Sequence, residues 1–265
     1  MKKIINAAML YAHYVSLNVR SAMQYKASLL LTMVGQFLVS FSTFLGIHFM
    51  FQRFHSVKGY NYEEVLVCFA IILLQFSIAE MFARGFDMFS GIVRQGEFDR
   101  VLTRPRSLIL QVLGAKFELT RIGRMMQALV IFLWAMSRGA VEWTAGRIAA
   151  LLMMLAGGAV LFSALFLIYA AFCFYTLEGL EFMNILTDGG REYGKYPIDV
   201  YGKDLFKVCT YIIPYTLIQY YPLQYLLGRS DNPLLALCPL GAVVFLMAAY
   251  GFWRVGLKRY TSAGS

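Results

Sequence analysis

The chain has 265 residues, of which 59% are hydrophobic and only 15% charged, and its formal net charge is +9. An ordinary soluble domain carries about 25% charged residues, and no soluble core could bury so much apolar surface. The composition therefore excludes a soluble domain and predicts a polytopic membrane protein whose main solvent is lipid.

Residues 1–26 predict an amphipathic helix that lies in the headgroup layer. Apolar side chains recur at steps of three or four, whereas Asn6, His13 and Arg20 lie mostly off that stripe. A polar-flanked helix packed on the bundle is the alternative. The same polar residues interrupt any signal-peptide core, so we expect the segment to be retained.

Six segments are predicted to cross the membrane within a single transmembrane domain, 1–265: 28–51, 65–85, 120–137, 148–175, 206–222 and 234–254. A crossing helix needs about 20 apolar residues, which the uncharged stretch 28–51 exceeds. Gly157 and Gly158 favour close helix approach. Pro214 and Pro222 interrupt the fifth segment, which indicates a broken or re-entrant outer segment before the last span. The predicted fold class is all-α.

The distribution of basic residues predicts the orientation. With six spans, 19 of the 24 lysines and arginines lie on the side of the two termini and 5 lie on the other side. The positive-inside rule then places both termini in the cytosol, together with the charged islands at 91–111 and 177–207. The rule also accounts for the positive net charge, so no nucleic-acid partner is needed.

The first charged island lies between two apolar segments and predicts a short cytosolic helix from Glu97 to Thr103, within the segment 96–105. Gly96 precedes it and Arg104-Pro105 ends it. Phe98 and Leu102 can enter a groove on a soluble partner, while charges at the rim fix its orientation. The residues predicted to make this contact are Glu97, Phe98, Asp99, Arg100 and Leu102. A solvated loop with one helical turn is the alternative.

Glu80 is the one acidic residue predicted to lie partly inside the membrane. An intramembrane carboxylate is a functional candidate by default. Arg84 follows four residues later, so a structural ion pair along one helix face is the favoured interpretation.

Motifs for self-contained chemistry are missing. The sequence has no GxxxxGK[ST], no HExxH and no GxSxG. Its three histidines are scattered, and its four cysteines lie singly in apolar runs, so we predict no catalytic residue, no metal site and no disulfide. A transporter of this composition needs energy from another subunit.

The order of these features resembles that of an ABC-2 type transporter permease. The stretch GEFDRVLTRP at 96–105 is similar to that family's coupling helix between spans two and three. Tyr196-Pro197-Ile198-Asp199-Val200-Tyr201-Gly202, with Ile213-Pro214, Tyr221-Pro222 and Leu226-Leu227-Gly228, resembles a bacterial subgroup often encoded as paired permeases. Arg106 departs from the family, where an aliphatic residue often follows Arg-Pro.

The resemblance implies an exporter half-transporter in the bacterial cytoplasmic membrane that moves an amphipathic or hydrophobic substrate. Its partners would be a cytosolic ABC ATPase dimer, a second permease that is identical or a sister chain, and membrane lipid. ATP and Mg would bind the ATPase, with no cofactor on this chain. By family analogy the substrate path lies on spans one, two and five, and its candidates are Phe41, Phe44, Phe69, Phe76, Tyr211, Tyr215 and Gln219.

Two other classes of function remain open at this point. One is a membrane-embedded enzyme that processes lipids, which would need clustered Asp, His or Arg residues at the membrane surface. The other is a non-transporting scaffold whose islands recruit soluble proteins. The aromatic path candidates also have a plain alternative, because aromatic residues at helical spacing usually serve packing or the interfacial belts.

Overall fold

The computed structural model describes residues 2–176 and 182–261, and the regular elements in these ranges are helical. The α-helices are α1 Lys2–Gln24, α2 Lys26–Phe54, α3 Tyr62–Asp87, α4 Phe89–Arg94, α5 Glu97–Leu102, α6 Leu108–Ala115, α7 Ile122–Ser137, α8 Ala145–Thr176, α9 Phe182–Tyr193, α10 Lys203–Tyr211, α11 Tyr221–Leu226 and α12 Gly241–Leu257. Short 3₁₀ segments occupy Leu119–Arg121, Ile198–Tyr201 and Pro233–Leu240, and a π-helical turn occupies Thr216–Tyr220.

Five segments of the described chain are long and apolar enough to cross a bilayer: Lys26–Phe54, Tyr62–Arg94, Leu119–Ser137, Ala145–Thr176 and Pro233–Leu257. The predicted spans at 28–51, 65–85, 120–137, 148–175 and 234–254 each fall inside one of them. The all-α polytopic class is therefore confirmed. The predicted fifth span, 206–222, is not among these five segments.

Helix α3 is the central element of the bundle. It begins with a capping box, in which the Asn61 backbone N–H donates to Glu64 Oε2 at 2.8 Å. Most of its side chains are buried, because α7 and α8 pack on two of its sides. Helix α12 packs on α8, and α2 lies at the edge of the bundle against α7.

Small residues set the closest helix crossings. Gly123 of α7 lies against the Met33 carbonyl of α2, where a Cβ atom would overlap the backbone. The predicted close approach at the glycine doublet is also present, since Gly157 packs on Pro239 and Gly158 packs on the Gln75 side chain. These contacts let backbones approach closely, as in other membrane bundles.

Helix α1 forms as predicted for 1–26 and packs on its own chain. The Tyr11 hydroxyl donates to the Phe82 carbonyl at 2.8 Å, and Asn18 Nδ2 donates to the Gly114 carbonyl at 3.2 Å. Burial at this contact raises the pKa of the Tyr11 phenol to about 12. Its position in the headgroup layer stays a prediction.

The segment from Asp199 to Arg229 forms a hairpin and contains the stretch 206–222, which was predicted to be broken or re-entrant; its re-entry into the membrane stays a prediction. Lys58, in the loop between α2 and α3, donates from Nζ to the Asp199 carbonyl. Arg229 pairs with Glu64 beside the same loop, at 2.7 Å between Nη2 and Oε2. Both ends of the hairpin therefore lie at the end of the bundle that carries this loop.

The same contacts correct the prediction that the whole second island, 177–207, lies beside the first one. The part of it around Asp199 is at the opposite end of the bundle from α5. The mean hydropathy of 182–202 is low because one face of α9 is polar. Hydropathy alone therefore predicts a loop where the structure has a helix. Residues 177–181 of this island lie outside the described residues.

The tip of the hairpin is fastened inside the bundle by side-chain donors. Pro222 lacks the backbone N–H that would otherwise donate to the Ile218 carbonyl four residues earlier. The side chain of Gln75 takes its place, since Gln75 Nε2 lies 3.4 Å from that carbonyl and 3.0 Å from the Met154 carbonyl. Thr216 Oγ1 donates to the Cys209 carbonyl ahead of Pro214. Gln75 therefore joins α3, α8 and the π-helical turn.

We predict that Gln75→Leu lowers the thermal unfolding midpoint of the purified protein by about 2–6 °C, because two carbonyls lose a donor without a change of volume. Gln127→Leu is the matched control. Gln127 is equally buried in α7, and neither atom of its amide has a partner in the described chain. Its midpoint should stay constant or rise, and equal losses in both variants would contradict this role of Gln75.

Candidate functional site

The first charged island folds as a corner at one end of the bundle. Helix α4 continues the line of α3, Gly96 reverses the chain with a φ of 70°, and α5 follows at Glu97–Leu102. A left-handed φ at this position suits glycine, since it has no Cβ. The short helix predicted from Glu97 to Thr103 is present as Glu97–Leu102.

Phe98 faces inward, which corrects its predicted role as a contact for a partner. Its side chain is 0% exposed, and its ring lies 5.0 Å from Phe89, 5.5 Å from Phe174 and 5.0 Å from Tyr260. The Tyr260 hydroxyl also donates to Asp99 Oδ1 at 3.0 Å. Phe98 therefore anchors α5 to α4, α8 and the C-terminal segment.

The outer side of the corner is exposed and mostly basic. We call it the docking surface, and its members are Arg94, Glu97, Arg100, Leu102, Arg104 and Arg106. Leu102 is 41% exposed and is the apolar residue of this surface. Of the five predicted contact residues, Glu97, Arg100 and Leu102 lie on it, whereas Phe98 and Asp99 support it from within.

Glu80 is buried in a network with three arginines. Its carboxylate lies 3.3 Å from Arg84 Nη1, 3.1 Å from Arg121 Nη2 and 2.6 Å from Arg124 Nη1. The predicted pairing with Arg84 is confirmed. The two arginines beyond it were missed because they are distant in sequence and were assigned to a helix rising from the cytosol. The network joins α3 to the start of α7.

The network reaches α2 and α9 as well. Arg124 Nη2 donates to Gln36 Oε1 of α2 at 2.7 Å. The guanidinium groups of Arg124 and Arg191 lie 5.9 Å and 5.0 Å from the centre of the Phe76 ring. Four helices thus meet around this buried charge cluster, which lies between the docking surface and α9.

Helix α9 carries a polar stripe along its exposed side. Asn184, Asp188 and Glu192 follow one another at four-residue steps, and the side chains of Asp188 and Glu192 are 53% and 48% exposed. Asp188 pairs with Arg191 at 3.4 Å, and Glu192 pairs with Lys195. The opposite face of α9 is buried.

The stripe lies alongside the middle of α3 rather than beyond its end. Arg191 sits over Phe76, and Gly194 packs against Ile72. On the other side, the Tyr215 hydroxyl at the hairpin tip donates to the Leu186 carbonyl. A row of carboxylates and cations at this depth needs water or a polar partner, because lipid cannot solvate it.

The seven predicted path residues do not line one common surface, although Phe41 and Phe44 contact each other on α2 with ring centres 5.6 Å apart. Four of them are buried among other side chains: Phe69, Phe76, Tyr215 and Gln219. Tyr211 is 84% exposed on α10. On α2, Phe41 is 37% exposed, and Phe44 lies with its ring centre 6.0 Å from that of Trp134. Gln219 holds the hairpin against α3, since its Nε2 donates to the Cys68 carbonyl at 2.8 Å.

A second polar network closes the opposite end of the bundle. The Arg229 guanidinium stacks 3.9 Å from the centre of the Tyr60 ring, and the Tyr60 hydroxyl lies 3.4 Å from Asp199 Oδ2. Burial raises the pKa of Asp199 above its usual value, although Lys58 opposes the shift.

Within residues 2–176 and 182–261, no group of three or more His, Cys, Asp or Glu side chains could hold a metal ion.

We predict that Glu80→Gln destabilises the protein by about 3–5 kcal/mol, because three arginines lose their shared buried carboxylate. Glu118→Gln is the control, since Glu118 lies near the same helices with its carboxylate 4.0 Å from Lys116 and more exposed. It should cost less than about 1 kcal/mol. Chemical unfolding of the purified variants measures both, and a Glu80→Gln loss as small as the control's would argue against the network.

Comparison with known proteins adds the family. Neither curated proteins nor solved structures provide a match to the chain. Residues 37–264, however, match the family described as ABC-2 family transporter protein. The match takes in the docking surface, the Glu80 network, α9, the hairpin and four of the five membrane-length segments in full. A multi-pass helical bundle with this coverage is a transport permease, and the chain belongs to the ABC-2 transporter family.

Proposed function

We propose that the chain is the membrane subunit of an ABC exporter that moves an amphipathic substrate, with energy from a separate cytosolic ATPase pair. The observation that carries the proposal is the polar stripe of α9 at bilayer depth. An uncovered stripe of this kind is unstable in lipid. A second permease, identical or a sister chain, would face the stripe across a water-filled path.

The surroundings of the stripe support an amphipathic rather than a purely polar substrate. Phe182 and Ile185, beside it on α9, are 49% and 61% exposed. A path with both kinds of surface can accept a molecule that has a polar group and an apolar body. The predicted aromatic residues that are buried here would support this path through packing.

The docking surface supports coupling to an ATPase. Phe98 fixes α5 rigidly to α8, so a displacement of the exposed corner would be passed to the bundle interior. The Glu80 network links the same end of α3 to α7 and, through Phe76, to Arg191 of α9. ATP and Mg would bind to the ATPase. The docking surface of this chain would be the contact that the ATPase displaces.

The same contacts support one arrangement in the membrane. We infer six crossings, with α9 and the residues after it as the fifth and the hairpin at 203–226 as a re-entrant element from the outer side. The docking surface and both termini would then face the cytosol of a bacterial cell. The basic residues before α2 and between 84 and 124 support this orientation.

We predict that the double variant Arg100→Glu, Leu102→Asp reduces co-purification of the ATPase by at least about tenfold, because it reverses a rim charge and removes the exposed apolar contact. Membrane yield should not change. Arg53→Glu, exposed at the opposite end of the bundle, is the control. Full ATPase recovery with the double variant would instead favour a scaffold or an enzyme that works alone.

We predict that cysteines at the stripe react with a charged, water-soluble thiol reagent in membranes. Asp188→Cys and Glu192→Cys should label readily in a background with the four native cysteines replaced by alanine. Val244→Cys, on a 64% exposed apolar side of α12, should stay unlabelled because it faces lipid. Labelling yields at 188 and 192 as low as that at 244 would refute a hydrated path.

A further inference from the structure

A basic pocket lies at the end of the bundle opposite the docking surface. It has a volume of about 410 Å³ and is lined by Lys58, Asp199, Gly202, Lys203, Phe206, Lys207 and Tyr220. We call it the lysine pocket. Its volume is in the range of pockets that hold small molecules or headgroups. None of its lysines belongs to the polar stripe of α9 or to the docking surface.

The charges of the pocket are unbalanced. Three ammonium groups face one carboxylate, and Lys58 is engaged with the Asp199 main-chain carbonyl. Lys203 and Lys207 stand one turn apart on the same face of α10, are both exposed, and form no ion pair within the described chain. Two neighbouring free ammonium groups favour an anionic ligand.

The pocket also has one acceptor without a donor. Asp199 Oδ1 is buried and has no hydrogen-bond partner in the described part of the chain. A buried carboxylate oxygen is stabilised by a donor from a ligand. The pocket therefore suits a ligand that combines an anionic group with a hydroxyl group.

The exposed side of α10 changes character along its length. Beyond the lysines, Val208, Tyr211 and Ile212 are 44%, 84% and 67% exposed. The turn of α10 with Lys203 and Lys207 lies beside the loop after α2, at the end of a membrane-length helix. The turn with Val208, Tyr211 and Ile212 lies further from that end of the bundle. Ammonium groups at headgroup depth above an apolar strip match the layering of a phospholipid.

We propose that the lysine pocket binds an anionic phospholipid with a hydroxyl-bearing headgroup. Its phosphate would lie between Lys203 and Lys207, a headgroup hydroxyl would donate to Asp199, and one acyl chain would follow Val208, Tyr211 and Ile212. Phe206 and Tyr220, with ring centres 5.1 Å apart, form the apolar wall beneath the headgroup.

The test is native mass spectrometry of the purified full-length protein with phosphatidylglycerol or phosphatidylethanolamine. We expect phosphatidylglycerol to bind more tightly, and Lys203→Gln with Lys207→Gln to weaken it roughly thirtyfold, since each lysine contributes about fivefold. The control is Arg254→Gln with Lys258→Gln, an equally spaced exposed pair at the other end of the bundle, which should leave binding unchanged. Tyr211→Ser should weaken lipid binding by a smaller factor.

Several results would overturn the proposal. These are equal affinity for the two lipids, unchanged binding in the Lys203 and Lys207 double variant, or an equal loss in the control pair. Complete displacement of the lipid by inorganic phosphate at the same concentration would assign the pocket to a free anion instead. Thermal unfolding of each variant without added lipid shows whether a loss of binding reflects a loss of folding.

Discussion

Backbone carbonyls that lose their helical donors inside a lipid-immersed chain must find donors elsewhere, and the interior of this bundle is arranged around that constraint. Two prolines break the segment after α10 near the middle of the bundle. Gln75, Thr216 and Gln219 supply hydrogen bonds around the break, and they come from the hairpin itself or from α3. Because each amide reaches two or more acceptors, the hairpin is fixed in one position against α3 and α8. That position in turn places the Tyr215 hydroxyl against α9, where it donates to the Leu186 carbonyl.

The two charged regions differ in what surrounds them. At the corner, an aromatic cluster around Phe98 holds α5, so the exposed charges are presented on a rigid support. At Glu80, one carboxylate is shared by three arginines with little access to water. Burial of so many charges is costly unless each is paired. Such a cluster therefore favours one arrangement of α3, α7 and α9 over small displacements.

Hydropathy was sufficient to locate five of the predicted spans, because about 20 consecutive apolar residues are a strong local signal. The corner helix was also accessible from the sequence, since Gly96 and Pro105 delimit it. Phe98 was misassigned because a six-residue helix between charges does not reveal which side is covered. The partners of Glu80 could not be found from local spacing, as the arginines come from another helix.

Helix α9 shows why the remainder of the fold escaped prediction. A hydropathy average over its length mixes the apolar face at Met183 and Gly190 with the charged face at Asp188 and Glu192. Only the four-residue spacing of Asn184, Asp188 and Glu192 would have indicated a helix there. The hairpin was partly foreseen from its prolines, but its entry and exit at one end depend on Lys58 and Arg229, which no local pattern links to it.

The two-sided character of α9 also has a consequence for biogenesis. A helix with this many charges gains too little by partitioning alone from the insertion machinery into lipid. In the proposed arrangement it would settle at bilayer depth only after α3 and α8 offer their apolar sides, so its entry should wait until the earlier helices have assembled. The nascent chain would therefore hold α9 at the membrane surface and complete the bundle late, after α3 and α8 have come together.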